Sequence, residues 1–109
     1  MPSNSDSGTK TATAGGTRDT LATISSAGNY LLKVDTKNMV LGDEILLEIY
    51  DKVLTGSTSA RAYSATYAHV QDEDVKISIP ISTVFETIFY LTQEAGTARS
   101  FEWAVVDMS

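Results

Sequence analysis

Residues 44–54, EILLEIYDKVL, decide the fold class, because apolar side chains recur at every second position. Ile45, Leu47 and Ile49 project to one face of an extended chain, and the residues between them project to the other. This pattern is typical of a β-strand with one face in a core. No window of helical length carries a comparable helical periodicity. The segment therefore predicts a half-buried strand.

The same alternation recurs on both sides of this segment, interrupted by turns rich in Gly, Asn and Asp. About seven or eight short strands at such spacing are typical of an antiparallel sandwich or barrel, so the predicted class is all-β. The predicted core contains the residues on the more apolar side of each stripe: Tyr30, Leu32, Val34, Ile45, Leu47, Ile49, Val75, Ile77, Ile79, Phe89, Leu91, Phe101, Trp103 and Val105.

Composition excludes several functional classes. The 109 residues suit one domain, and 42% hydrophobic residues are enough to fill its core. A net charge of −6 argues against binding to a phosphate backbone. The absence of cysteine excludes disulfides and thiolate metal sites, and one histidine excludes a multi-histidine centre. Apolar runs are far shorter than the roughly 18 residues of a membrane span. We expect no nucleic-acid or membrane partner.

Catalytic chemistry has no clear residue set in this sequence. His69 is the only imidazole, and its place at the end of a polar stripe indicates sheet surface rather than a general base. The acidic residues cluster in turns, at 43–44 and 72–74, where carboxylates are usually solvated. Asp72 and Asp74 leave a calcium site as the alternative, although the spacing lacks the glycine and distal glutamate of a calcium loop. We expect no enzyme activity, no cofactor and no required metal.

The first part of the chain is predicted to be a flexible N-terminal arm, residues 1–19, followed by a single domain, residues 20–109. No large apolar side chain lies between Met1 and Leu21, so the arm offers no secretion signal and little to a core. Such a segment gains hydrogen bonds by adding to a neighbour's sheet edge. The predicted partner-binding residues of the arm are Thr9, Thr11, Thr13 and Arg18.

A second predicted partner-binding surface is an exposed strip formed by Arg61, Tyr63, Tyr67 and His69. Tyrosine and arginine are enriched at the energetic centres of protein interfaces. Tyrosine faces also stack on sugar rings, so the strip alone leaves protein and glycan partners open. Trp103 lies in an all-apolar stripe and is predicted to pack in the core instead.

Four stretches resemble small virion proteins of tailed bacteriophages: NYLLKVD at 29–35, LGDEILL at 41–47, AYSATYAH at 62–69 and GTARSFEW at 96–103. The resemblance covers roughly residues 20–106. It implies a capsid decoration, or cement, protein with a small jelly-roll-like β-sandwich. Such proteins sit on the outer surface of the capsid and clamp neighbouring major capsid subunits without covalent bonds.

The resemblance also implies a virion location, a homo-oligomer (a trimer or a dimer) and a terminal arm that reaches across subunits. Two alternatives remain open at this point. One is a glycan-binding or host-recognition β-sandwich module, and the other is a structural subunit of a tail or head–tail connector.

Overall fold

The structure, a computed structural model, describes residues 3–13 and 15–108, which contain nine β-strands and no helix. The predicted all-β class is confirmed. Among these described residues, no helix has the length and apolar character needed to cross a membrane. The strands are β1 (Ser3–Thr11), β2 (Arg18–Ile24), β3 (Gly28–Asp35), β4 (Glu44–Asp51), β5 (Ala60–Ala68), β6 (Val75–Ile77), β7 (Ile81–Thr83), β8 (Thr87–Ala95) and β9 (Ser100–Asp107).

The described strands form two antiparallel sheets that face each other across one core. Sheet A has the order β1-β9-β3-β6, and β7 pairs with the first residues of β3 while β6 pairs with its last residues. Sheet B has the order β2-β8-β4-β5. The predicted antiparallel sandwich is confirmed.

The core between the sheets is built from the apolar stripes of the long strands. Trp103 is half-buried and packs against this core. The predicted core residues that the structure buries are Tyr30, Leu32, Val34, Ile45, Leu47, Ile49, Phe89, Leu91, Phe101 and Val105.

The prediction is wrong for the most regular apolar stripe in the sequence. Val75, Ile77 and Ile79 are 52%, 54% and 52% exposed, so they lie outside the core. The residues between them, Lys76 and Ser78, occupy the inner side of β6 and the segment after it. Alternation specifies two faces but not which face is turned inward, and at this edge the polar residues turn inward.

Three contacts hold Lys76 and Ser78 in that register. The Ser78 hydroxyl accepts a hydrogen bond from the Leu32 amide at 2.8 Å and donates one to the Ile79 carbonyl at 3.0 Å. The Lys76 ammonium lies 4.9 Å from the ring centre of Tyr67, which is a favourable cation–π distance. With both polar groups satisfied, the apolar side chains of this segment stay on the outside.

The predicted flexible arm is also wrong for the described residues. β1 pairs with β9 from Ser3 to Thr11, as an edge strand of the same sandwich. Ala12 is 3% exposed in the core, and Thr13 donates two hydrogen bonds to the Asp19 carboxylate, at 2.8 and 2.7 Å. An edge strand gains main-chain hydrogen bonds without burying large side chains, which is why a polar segment is ordered here. Residues 1, 2, 14 and 109 lie outside the described residues.

A buried carboxylate organises one end of the sandwich. The Asp43 side chain, 2% exposed, accepts hydrogen bonds from Arg99 Nε and from the Val40 amide, both at 2.9 Å. The Asp43 carbonyl accepts the His69 amide at 2.7 Å. These bonds tie together the β3–β4, β5–β6 and β8–β9 connections. We refer to this region as the Asp43 end.

Candidate functional site

The outer face of sheet B, turned away from sheet A, carries an unusual set of side chains. The strand register places Tyr90 beside Glu48, and Tyr50 beside Arg61. The alternate residues Ile49 and Phe89 are fully buried on the inner face. Side chains on neighbouring strands at these positions therefore share the outward direction.

Two tyrosines and one arginine form the centre of this face, the Arg18–Tyr50–Tyr90 cluster. The ring centres of Tyr50 and Tyr90 are 5.3 Å apart with an interplanar angle of 88°, an edge-to-face arrangement. The guanidinium carbon of Arg18 lies 4.0 Å from the Tyr90 ring centre and 5.1 Å from that of Tyr50. All three side chains rise from rigid strands, so the cluster is preformed.

An ion pair between a buried carboxylate and an exposed arginine flanks the cluster. Glu48 is 6% exposed, and Arg61 Nη1 donates to its carboxylate at 3.1 Å. A carboxylate out of water needs such a partner. Arg18, in contrast, has no carboxylate within ion-pair distance among the described residues. The three charged groups of this area sum to +1, within a chain of net charge −6.

The predicted strip of Arg61, Tyr63, Tyr67 and His69 is not one surface. Tyr63 and Tyr67 lie opposite Ile49 and Ile45 and pack against the core between the sheets. A register shift between Ile49 and Tyr50 places Arg61 on the outer face instead. Such a β-bulge inserts one extra residue into a strand, so side chains two positions apart on either side of it point to opposite faces. Simple alternation in the sequence does not predict this change.

Burial affects the chemistry of one of these tyrosines. Desolvation raises the pKa of Tyr63 above the usual 10.0, and the nearby Tyr67 hydroxyl adds to the rise. This environment favours the neutral phenol. Tyr63 is therefore a half-buried tyrosine that packs against the core, and not an exposed contact residue.

His69 lies at the Asp43 end, in a left-handed backbone conformation with φ of 64°. Its Nδ1 accepts a hydrogen bond from the Gly42 amide at 2.9 Å, so His69 links two connections. The contacts of His69 are thus those of a loop-bracing residue.

The predicted threonine contacts of the N-terminal segment have different positions. Thr9 and Thr11 are exposed on β1, where the Thr11 hydroxyl is 2.8 Å from that of Ser100. Thr13 is held by Asp19. Of the predicted partner-binding residues, Arg18 and Arg61 lie on the outer face of sheet B, on its two edge strands β2 and β5.

The acidic turn at 72–74 shows no built cation site. Within residues 3–13 and 15–108, no group of three or more His, Asp or Glu side chains is placed to hold a metal. Asp72 and Asp74 are exposed, and the Asp74 main-chain carbonyl is bonded by the amide and hydroxyl of Thr36 at 2.8 and 2.7 Å.

Sequence reasoning missed Tyr50 and Tyr90. Each lies on the face of its strand where polar and apolar residues are mixed, opposite the purely apolar stripe. This mixed composition is the one feature of the sequence that could have identified them. Their contact depends on β8 lying next to β4, and Arg18 reaches them because β2 is the next strand across. Strand order is not encoded in a period-two pattern.

Comparison of the chain with protein-family models, curated proteins and solved structures finds no match.

Proposed function

We propose that this chain is a structural binding protein that docks through the outer face of sheet B, and that it decorates the outer surface of a tailed-phage capsid. Its partners there are major capsid subunits, held without covalent bonds. The observation that carries the docking proposal is the Arg18–Tyr50–Tyr90 cluster. The capsid is suggested by the sequence resemblance to virion proteins.

The composition of the cluster favours a protein partner. Arginine and tyrosine are enriched, with tryptophan, at interface hot spots, where they combine contact area with hydrogen-bonding groups. A cluster already held in place by its own stacking loses little side-chain entropy on binding. The guanidinium of Arg18 has no carboxylate among the described residues, which suits an acidic or carbonyl-rich patch on a shell subunit.

The strand connectivity supports a jelly-roll-like scaffold. In the orders β1-β9-β3-β6 and β2-β8-β4-β5, the chain crosses between the sheets at every connection except β4–β5, within sheet B, and β6–β7, within sheet A, as in a pair of interlocked Greek keys. Such a sandwich holds its surface residues rigidly. Many copies that bind the assembled shell but not its dissociated subunits would stabilise the shell by mass action.

The glycan-binding alternative is less well supported by this geometry. The tyrosines on which it depended, Tyr63 and Tyr67, pack between the sheets. At the half-buried pair on the outer face, the rings of Tyr50 and Tyr90 are nearly perpendicular and Arg18 covers a ring face. A sugar ring needs an open, flat aromatic face for stacking, and this cluster does not provide one.

The test is co-sedimentation of the protein with undecorated shells and, separately, with free capsid subunits. We expect binding to shells only. Arg18→Ala should weaken it by about 30-fold, the effect of losing one interface hot spot. Arg18→Lys, which keeps the charge but loses the planar group, should fall between Arg18→Ala and the wild type.

Lys33→Ala is the matched control, because it removes one cation from the opposite sheet. Equal binding by Arg18→Ala and Lys33→Ala would refute docking through sheet B. Binding to an isolated oligosaccharide that depends on Tyr90 would favour the glycan-binding alternative. Spontaneous polymerisation into tubes would favour a tail or connector subunit.

A further inference from the structure

Sheet B ends at β5, and this strand is open on the side away from β4. Among the described strands, β5 pairs with β4 alone. Beyond the register shift between Ile49 and Tyr50, the strand has a regular stretch at residues 63–68, with the sequence YSATYA. We refer to this stretch as the β5 edge. It contains no charged residue, no proline and no glycine.

The other edges of the two sheets carry features by which proteins prevent an edge from pairing further. β1 and β2 each contain a register shift, and the Asp19 carboxylate between them lies 4.0 Å from Lys10 Nζ and is bonded by Thr13. β6 and β7 have three residues each, and Pro80 lies between them. Among the described strands, β5 is thus the edge that is left regular and uncharged. Such an edge is a template for a further strand.

The ladder between β4 and β5 shows which main-chain groups face the open side. In an antiparallel pair, residues whose N–H and C=O groups face the partner strand alternate with residues whose groups point away from it. The His69 amide donates to the Asp43 carbonyl at 2.7 Å, directly beyond the end of the ladder. Counting back from this bond, the residues whose main-chain groups point away from β4 are Ala68, Thr66 and Ser64.

Gln71 closes one end of this row of groups. Its side-chain amide donates to the Ala68 carbonyl at 2.6 Å, which agrees with the direction assigned to that carbonyl. The groups that have no partner among the described residues are the N–H and C=O of Ser64 and Thr66 and the N–H of Ala68. Donors and acceptors spaced in this way are matched by another extended main chain.

The side chains of the β5 edge indicate what an added strand would carry. On the inner side, Tyr63, Ala65 and Tyr67 are only half-buried, and both tyrosines pack against the core. Apolar side chains on a neighbouring strand would complete their burial, because side chains at paired positions point to the same face. On the outer side, Ser64 and Thr66 are small and exposed, so small polar side chains fit beside them.

The charges around the β5 edge favour a basic partner at one end. The charged residues on and next to it are Arg61, Lys76, Glu44, Glu48, Asp72, Glu73 and Asp74. These two cations and five carboxylates sum to −3. Glu44 is the register partner of Ala68, and the exposed acidic turn at 72–74 follows this same end of the strand. A cation on the partner is therefore favoured there, whereas copies of this chain, at −6 each, repel one another.

We propose that the β5 edge binds an extended segment of another protein, which adds to sheet B as an antiparallel fifth strand. Apolar side chains of the segment alternate with small polar ones, and a lysine or arginine at its N-terminal end faces the acidic turn at 72–74. The proposal goes beyond docking through the Arg18–Tyr50–Tyr90 cluster, because the main-chain groups it uses lie at the edge of sheet B opposite β2. The two contacts can therefore be tested separately.

The first experiment is an NMR titration of the full chain with the peptide acetyl-Lys-Lys-Val-Thr-Val-Thr-Val-amide. In the antiparallel register its threonines lie opposite Thr66 and Ser64, and its valines lie opposite the inner residues of the β5 edge. We expect saturable binding with a Kd below about 1 mM. The largest changes in amide shift and the slowest hydrogen exchange should occur at Ser64, Thr66 and Ala68.

Two N-methylated forms of the peptide are the matched controls. Methylation of both threonine amides removes the N–H groups that face β5, whereas methylation of the first two valine amides removes N–H groups that face away. We expect the first form not to bind and the second to retain binding. Replacement of both lysines by glutamate should weaken binding at least about tenfold.

The second experiment changes the protein. Thr66→Pro removes an N–H on the open side, where proline is tolerated in an edge strand, and should weaken peptide binding at least about tenfold. Thr66→Val keeps the N–H and the shape of the side chain, and should bind like the wild type. The methylated peptides make the same test on the wild type, so the result does not depend on the folding of Thr66→Pro.

Four results would overturn the proposal. They are a Kd above about 1 mM for the unmodified peptide, equal binding of the two methylated forms, and shift changes confined to β1. The fourth is protection of the Ser64 and Thr66 amides that rises with protein concentration in the absence of peptide, since this would show that a second copy occupies the edge.

Discussion

Replacement of Gly96 by alanine should be among the most damaging single changes in this protein. Gly96 lies in the β8–β9 connection with φ of +92°, a conformation that side chains rarely adopt. A Cβ there would overlap the Asp43 carboxylate and lie 2.8 Å from the Asp43 Cα. The main chain and the carboxylate would have to separate, disturbing the bonds from Arg99 and Val40.

The size of the effect follows from two additive causes. Positive-φ strain costs alanine about 1–2 kcal/mol. Disturbing a hydrogen-bonded, ion-paired carboxylate that is 2% exposed adds about 2–3 kcal/mol. The total loss of about 3–5 kcal/mol is a large part of the stability of a domain this size. Gly42→Ala is the matched control, because Gly42 has φ of +95° but nothing within 4 Å of a Cβ. It should lose only the strain contribution.

The assay is urea unfolding of the wild type and both variants, followed by fluorescence of Trp103, the only tryptophan in the chain. Trp103 packs against the core, so its emission reports global unfolding. We expect the Gly96→Ala midpoint to fall well below that of Gly42→Ala. If the two alanine variants lose the same free energy of unfolding, close packing of Gly96 on Asp43 does not contribute to stability.

Two further predictions concern the core and its edge. Under dilute, monomeric conditions Leu47→Ala should lower the free energy of unfolding by about 2–5 kcal/mol and Ile77→Ala by less than about 1 kcal/mol, because Leu47 is 2% exposed and Ile77 is 54% exposed. Thermal melting of the two variants measures the difference. Equal losses of stability would contradict the outward orientation of Ile77 on β6. The pKa of Tyr63 is raised by burial and by Tyr67, so the tyrosine ionises first in the unfolded chain and its contribution to stability is lost as the pH rises from 10.0 through the folded pKa. The melting temperature of Tyr63→Phe should therefore fall less steeply with rising alkaline pH than that of the wild type. The tyrosinate absorbance of the folded variant should lack one group that titrates late. If both curves are unchanged, this assignment to Tyr63 is wrong.

The long strands could be predicted because their apolar stripes face a deep core. Ile45, Leu47 and Ile49 are each at most 2% exposed, as their spacing requires. The stripe of β6 has the same spacing and the opposite outcome. Its orientation is set by Ser78 bonding to the main chain of β3, a tertiary contact that local alternation does not contain.

The N-terminal strand was missed because hydrophobicity is the signal that sequence reasoning uses. β1 contributes main-chain hydrogen bonds to β9, and its own residues are almost entirely exposed. Serine and threonine can occupy an edge strand, but they produce no apolar alternation in the sequence from which the strand could be predicted. The candidate site was partly predictable: Arg18 and Arg61 were identified, but the tyrosines they accompany depend on strand order and on a β-bulge.

The pairing of β1 with β9 has a consequence for how the chain folds and how it can be re-engineered. Ser3 and Asp107 are register partners, so the first and last strands are adjacent although nearly the whole sequence separates them. Forming that pair closes the longest loop available, and folding rates fall as such distant contacts increase. Joining the two ends by a short peptide and opening the exposed turn after Leu54 would convert the same pair into a hairpin. Stopped-flow refolding of the rearranged chain would then measure how far this single closure limits the rate for the natural order of strands.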